Sequence, residues 1–188
     1  MDIAIGLVVG VCLAASCGFR VFVPMLVMSV ASKAGLLELS DGWSWLGSWP
    51  AIGAFLVATV AEICGYYIPW VDNLLDSISS PAAVVAGTVA TAACVSELDP
   101  LLQWSAAIIA GGGMAATIKA ATVVVRSAST AATAGLGNFL VATCELVMSL
   151  VLSILAVVIP VVAAAVLCVV VFFIGWRFLH TKSWCTES

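Results

Sequence analysis

The 188-residue sequence predicts an all-α, polytopic membrane helix bundle of about six spans, built as one integral membrane domain over residues 1–188. Three observations predict it. First, 64% of the residues are hydrophobic and only 9% are charged, with a mean hydropathy of +1.25, against about 45–50% and about 25% in soluble domains. Second, the apolar residues fall in stretches close to the roughly 20 residues that cross hydrocarbon. Third, glycine and proline interruptions recur inside two of those stretches. Six Lys+Arg against ten Asp+Glu leave a net charge of −4, so no basic footprint exists for a nucleic acid.

The first stretch, about residues 3–31, contains Gly18, Arg20 and Pro24 and reads as an interrupted span. Its start could pass for a signal peptide, but Asp2 stands where a positive region belongs, and the apolar character continues past Arg20. A connector with Trp43, Trp45 and Trp49 beside Glu38 and Asp41 has the composition of the water–hydrocarbon boundary. The second span, about 49–69, carries Glu62. Residues 70–78 alternate Trp70, Val71, Leu74, Leu75 and Ile78 with Asp72, Asn73, Asp76 and Ser77, which predicts a short interfacial helix. A short third span follows at about 81–95. The fourth, about 102–125, contains Gly111, Gly112, Gly113 and Lys119, and Arg126 at its end is expected to snorkel to the surface. The last apolar block, about 138–179, is too long for one crossing. Pro160 near its middle lacks an N–H and is expected to divide it into two helices, with five spans and one long kinked helix as the competing count.

Phe55-Leu56-Val57-Ala58-Thr59 recurs as Phe139-Leu140-Val141-Ala142-Thr143, each copy with a Gly two residues upstream and a Glu soon after. The copies sit in the second and fifth spans. The first and fourth spans each pair a glycine interruption with one cation. This echo predicts an inverted repeat of two three-helix halves, about 1–97 and 98–180, with interrupted first and fourth helices and a short tail at 181–188. The glycine triplet either lines a midplane site or only lets helices pack closely.

Arg20, Glu62, Lys119 and Glu145 lie inside expected spans, where an isolated charge costs about 2.5–3.5 kcal/mol on insertion scales. Two cations and two carboxylates cancel in full. They are therefore the candidate solute- or ion-binding residues, together with Gly18, Gly111, Gly112, Gly113 and Asn138. The competing reading is that the charges only lock the bundle. Asp72 and Asp76, spaced i, i+4, are a candidate divalent-cation pair, although the same spacing suits the wet face of an interfacial helix.

The seven cysteines show no metal-like spacing, and His180 and Cys185 are two lone ligand types near the C-terminus. No H-E-x-x-H, G-x-S-x-G or P-loop is present, so no enzyme and no cofactor is expected. Arg126, Arg177 and Lys182 on one side against Lys33 on the other place both termini in the cytoplasm for six spans. The expected partners are the lipid bilayer, a small solute or ion, and a second copy of the chain, since so thin a bundle encloses little.

Gly18-Phe19-Arg20-Val21-Phe22-Val23-Pro24, and Glu62 followed by Pro69-x-x-Asp72-x-x-x-Asp76, carry a family resemblance. So do Pro81 with Gly87, Gly111 to Lys119, Arg126, and Asn138 leading to Glu145. In these residues the chain resembles the small multipass membrane proteins grouped as domain of unknown function 4126, over about residues 3–170. The resemblance implies that the polar intramembrane positions form a set, and it implies no activity. Family members often have an Asp before the proline where this chain has Gly65-Tyr66-Tyr67, and a second acid where it has Leu146. If those acids serve ion coupling, that coupling is altered or lost here. The function expected is a small transporter or channel-like permease, with a non-transporting scaffold or assembly factor as the alternative.

Overall fold

A computed structural model of the chain describes residues 2–96, 98–133 and 137–184. Side chains at 69, 70, 72, 73 and 174–184 are outside that description, which removes Asp72, Arg177, His180 and Lys182 from any side-chain account. Cys185 lies outside the described residues altogether.

Every regular element among the described residues is helical. Four helical segments are long and apolar enough to cross a membrane: Trp49–Tyr66, Leu74–Cys94, Pro100–Thr133 and Asn138–Val158. Shorter apolar helices cover Ile3–Phe19, Phe22–Lys33 and Pro160–Phe173. The chain is an integral membrane protein.

The first stretch does not form one broken crossing. Helix α1 (Ile3–Phe19) ends where Arg20 turns extended, and α2 (Phe22–Lys33) starts two residues later. Contacts along the two helices show that the chain doubles back. A Cβ on Gly10 would meet Thr91, near the end of the fourth helix, whereas Arg20 reaches Ala142, near the start of the seventh. Beyond the break, α2 climbs again, and the Ser29 hydroxyl donates to the Leu46 carbonyl at the other end. Ser40 N–H donates to the Ala93 carbonyl at 2.9 Å, which puts the α2–α3 connector level with the end of the fourth helix. The two helices thus form a hairpin with its tip at Arg20 and Val21. Its arms rise about 25 Å and about 18 Å.

A 3₁₀ turn (Asp41–Gly47) carries the connector into α3 (Trp49–Tyr66), which Ser48 caps and Pro50 starts. The interfacial helix expected at 70–78 and the short span after it are one helix, α4 (Pro69–Cys94), with Pro81 inside it. The reason is that Asp76 and Ser79 find partners in Lys119 and Tyr66 rather than in water. Helix α5 (Pro100–Ala106) is capped by the Asp99 carboxylate and runs through a π turn (Ala107–Gly112) into α6 (Gly113–Thr133). Helices α7 (Asn138–Val158) and α8 (Pro160–Trp184) divide at Pro160, whose missing N–H cannot continue the ladder.

Helix α1 is the centre of the bundle, packed against α4, α6, α7 and α8. Small residues make this possible. Ala14, Ala15 and Cys17 are fully buried, and a Cβ on Gly10 would come within 2.8 Å of the Thr91 Cα on α4. In lipid, helix association depends on such close van der Waals contact rather than on water expulsion.

Candidate functional site

The hairpin tip lands among charges. Helix α3 presents Thr59, Glu62 and Tyr66 on one face, α6 presents Lys119 and Arg126 seven residues apart, and α7 contributes Glu145. Helix α4 contributes Asp76 and Ser79. Arg20, Glu62, Lys119, Arg126 and Glu145 are all buried, at 2–5% exposure, so each charge must be compensated inside the protein.

Glu62 compensates the hairpin break. The N–H groups of Val21 and Phe22 donate to its two carboxylate oxygens at 2.9 and 3.0 Å. Those are the orphan donors that every helix start leaves open. A carboxylate supplied from α3 therefore caps α2, and it also sits at the positive end of the α2 dipole. No Lys or Arg comes within ion-pair distance of Glu62 among the described residues.

Glu145 is held differently. Arg126 Nε donates to its Oε1 at 3.0 Å, and Nη2 donates to Oε2 in a fork. The same Oε2 lies 3.9 Å from Arg20 Nη2, which also donates to the Ala142 carbonyl at 2.8 Å. Asp76 completes a third group. Lys119 Nζ donates to its Oδ1 at 3.2 Å, and Arg126 Nε lies 3.8 Å from its Oδ2.

Tyr66 ties these groups together. The guanidinium carbons of Arg20 and Arg126 lie 3.8 and 4.4 Å from its ring centroid, an arrangement that gains from the ring quadrupole when desolvated. Its hydroxyl donates to Asp76 Oδ1 at 3.3 Å, accepts from Lys119 Nζ at 3.4 Å and shares a hydrogen bond with Ser79 at 3.0 Å. Among the described residues, three cations and the Asp76 carboxylate lie against this phenol, Glu145 joins them through Arg126 and Arg20, and Glu62 caps the hairpin beside them.

The four charges expected from the sequence, Arg20, Glu62, Lys119 and Glu145, are thus brought to one region. Arg126 does not snorkel. It is 3% exposed and pairs with Glu145, because the seven-residue spacing from Lys119 turns it inward. Asp76 faces Lys119 and Tyr66, and no group of three or more His, Cys, Asp or Glu is placed to hold a metal ion among the described residues. Sequence reasoning missed Tyr66, Asp76 and Arg126 as members. The signals were the i, i+4 step from Glu62 to Tyr66 and the heptad step from Lys119 to Arg126.

The glycines lie apart from the charges. Gly111 and Gly112 belong to the π turn and pack on α4, where a Cβ on Gly112 would meet Thr88 Oγ1 at 2.7 Å. A Cβ on Gly18 would come within 2.8 Å of the Ala115 carbonyl, while Gly113 faces open space. Asn138 stands at the rim, where its amide donates to Thr130 at 3.0 Å. There it lines a cleft of about 460 Å³ with Asp76, Arg126, Ser127 and Thr130. A second cleft of about 500 Å³, along Ser80, Val84 and Lys119, shares Val123 with the first. Together they open the α4–α6 seam beside Lys119, Asp76 and Arg126.

The family described as domain of unknown function (DUF4126) matches residues 7–179, and the chain belongs to it. Neither the curated proteins nor the solved structures contain a match to the chain.

Proposed function

We propose that this member of the DUF4126 family is a small membrane transporter or channel-like permease for a small solute or ion, with its central site at the α1–α2 hairpin tip. One observation carries the reading: a helix break inside the bundle opens onto buried charges that cancel among themselves. Broken helices are tolerated at depth only where protein, water or cargo covers the freed backbone groups. Transporters place such breaks at their binding sites. The α4–α6 clefts give access to the charges from one end of the bundle, past Asn138, Asp76 and Arg126. Movement of α2 about Arg20 and Val21 would open the other.

The echo between α3 and α7 supports an inverted plan, since the two helices run in opposite directions. The α1–α2 hairpin and the π turn before α6 stand at the corresponding interruptions. Six spans become five full crossings plus a hairpin in this reading. The Arg126 end faces the cytoplasm, being the end opposite Lys33, and residue 3 then starts on the far side. A homodimer supplies the enclosure that so few helices lack.

The test is a proteoliposome flux panel with Glu62→Gln and Glu145→Gln. Flux of one solute class, lost or uncoupled in the variants, supports a permease. The absence of any flux with all proteins folded sinks it.

A scaffold or assembly factor is the second reading, and the completeness of the Arg126–Glu145 and Lys119–Asp76 pairing favours it. It calls for a stoichiometric membrane-protein partner in native purification.

A further inference from the structure

Three buried side-chain atoms lack a hydrogen-bond partner among the described residues: Arg20 Nε, Arg20 Nη1 and Thr59 Oγ1. All three belong to the hairpin tip or to the α3 face that caps it. All three can donate. Arg20 is 2% exposed, so bulk water does not reach it. Leaving three guanidinium N–H bonds and a hydroxyl unpaired in hydrocarbon is costly. The group that would satisfy them is an acceptor.

The electrical balance narrows its nature. Among the described residues the six charges of this region cancel, so an added anion leaves that set negative unless one carboxylate takes a proton. Glu145 and Asp76 are engaged by Arg126 and Lys119, and protonating either breaks an ion pair. Among the described residues, Glu62 is held only by the Val21 and Phe22 N–H groups. Its protonation breaks no pair within 4 Å and frees those two donors for another acceptor. The charged and titratable groups facing it are Cys17 on α1, Arg20 at the break, Lys119 on α6 and Tyr66 on its own helix. Glu145 faces it only through Arg20.

We infer that the α1–α2 break is a binding site for a small monovalent inorganic anion, of halide or nitrate size, taken up together with a proton on Glu62. In the unloaded state the Glu62 carboxylate occupies the anion position itself. A proton from water converts it to the neutral acid. The Val21 and Phe22 N–H groups then turn to the incoming anion, with Arg20 Nε, Arg20 Nη1 and the Thr59 hydroxyl as its remaining donors. No covalent bond other than the O–H of Glu62 forms, and the net charge of the site is unchanged. This inference deepens the permease reading by naming its cargo, and it rests on that reading only for the anion's onward passage.

The experiment uses the purified full chain in nanodiscs, with chloride or nitrate against gluconate at constant ionic strength, at pH 5.5 and pH 8. Thermal stability and calorimetric titration are read for binding, and the same samples in proteoliposomes are read for flux. The expected result is binding that tightens as pH falls, approaching about tenfold per pH unit where Glu62 is ionised. Glu62→Gln should bind the anion equally at both pH values, because the amide imitates the neutral acid. Thr59→Val should bind several-fold more weakly while melting close to the parent. Chloride and nitrate indistinguishable from gluconate overturn the inference. So does a Glu62→Gln protein that keeps the parent's pH dependence. Binding without flux leaves this site standing and removes the permease reading. Flux of a cation or neutral solute without anion binding does the reverse.

Discussion

The two ends of α1 are held by opposite means. Toward its N-terminus, Gly10 and Ala14 press against Thr91 and Gly87, and the π turn of the 100–133 helix presses Gly111 against the same α4 ridge. Close fit of small residues makes that seam, with Gln103 Nε2 donating to the Ala92 and Val95 carbonyls at its edge. At its C-terminus, α1 gives way to Arg20, and the chain is held by a guanidinium, a phenol and two carboxylates, Glu62 and Glu145. The first region tolerates no added atom, and the second tolerates no removed charge. In lipid both devices are needed, because apolar side chains gain little by meeting one another rather than acyl tails.

The largest effect is expected at the charged end. Arg126→Ala leaves Glu145 buried with only a 3.9 Å contact to Arg20 and should cost about 3–5 kcal/mol. Denaturant titration in mixed micelles reads it directly. Arg126→Gln with Glu145→Gln should recover most of the loss, and failure of that rescue would mean the charges themselves, not their pairing, hold the end together. At the packed end, Gly111→Ala drives a methyl toward the Gly87 carbonyl and should cost about 1–3 kcal/mol, seen as a lower melting temperature. An unchanged melting temperature would show the seam to be looser than its shape implies. Between the two, Tyr66→Phe keeps the ring under both guanidiniums but removes the hydroxyl from Asp76, Lys119 and Ser79. A loss of about 0.6–2 kcal/mol is expected in the same titration. The smallest change is Gly113→Ala. It meets nothing within 4 Å and should stabilise the helix by about 0.5–1 kcal/mol. Together, Gly111→Ala and Gly113→Ala separate steric fit from helix propensity two residues apart.

Much of the site was legible. A charge is so costly in hydrocarbon that Arg20, Glu62, Lys119 and Glu145 announce themselves in an apolar sequence, and each is buried in the charged end of the bundle. Arg126 was misread because a cation at the end of an apolar stretch usually reaches water. Only the presence of Glu145 on a neighbouring helix makes inward pairing cheaper. Asp76 suits the wet face of an interfacial helix for the same reason, since the partners that dry it, Lys119 and Tyr66, come from other helices. The glycine triplet looked equally suited to a binding site or to packing, and its contact with Gly87 and Thr88 places two of its members in packing.

Sequence alone determined the solvent, the helical class, the division at Pro160 and the identity of the costly residues. Each of these follows from local composition: apolar length matches bilayer thickness, and a missing N–H ends a ladder wherever it occurs. Only the tertiary structure decided that residues 3–33 double back instead of crossing, and which charge answers which. A break between Phe19 and Phe22 fixes no direction by itself. The return path is chosen by Glu62, some forty residues later in the chain, which caps the second arm only when α3 stands beside it.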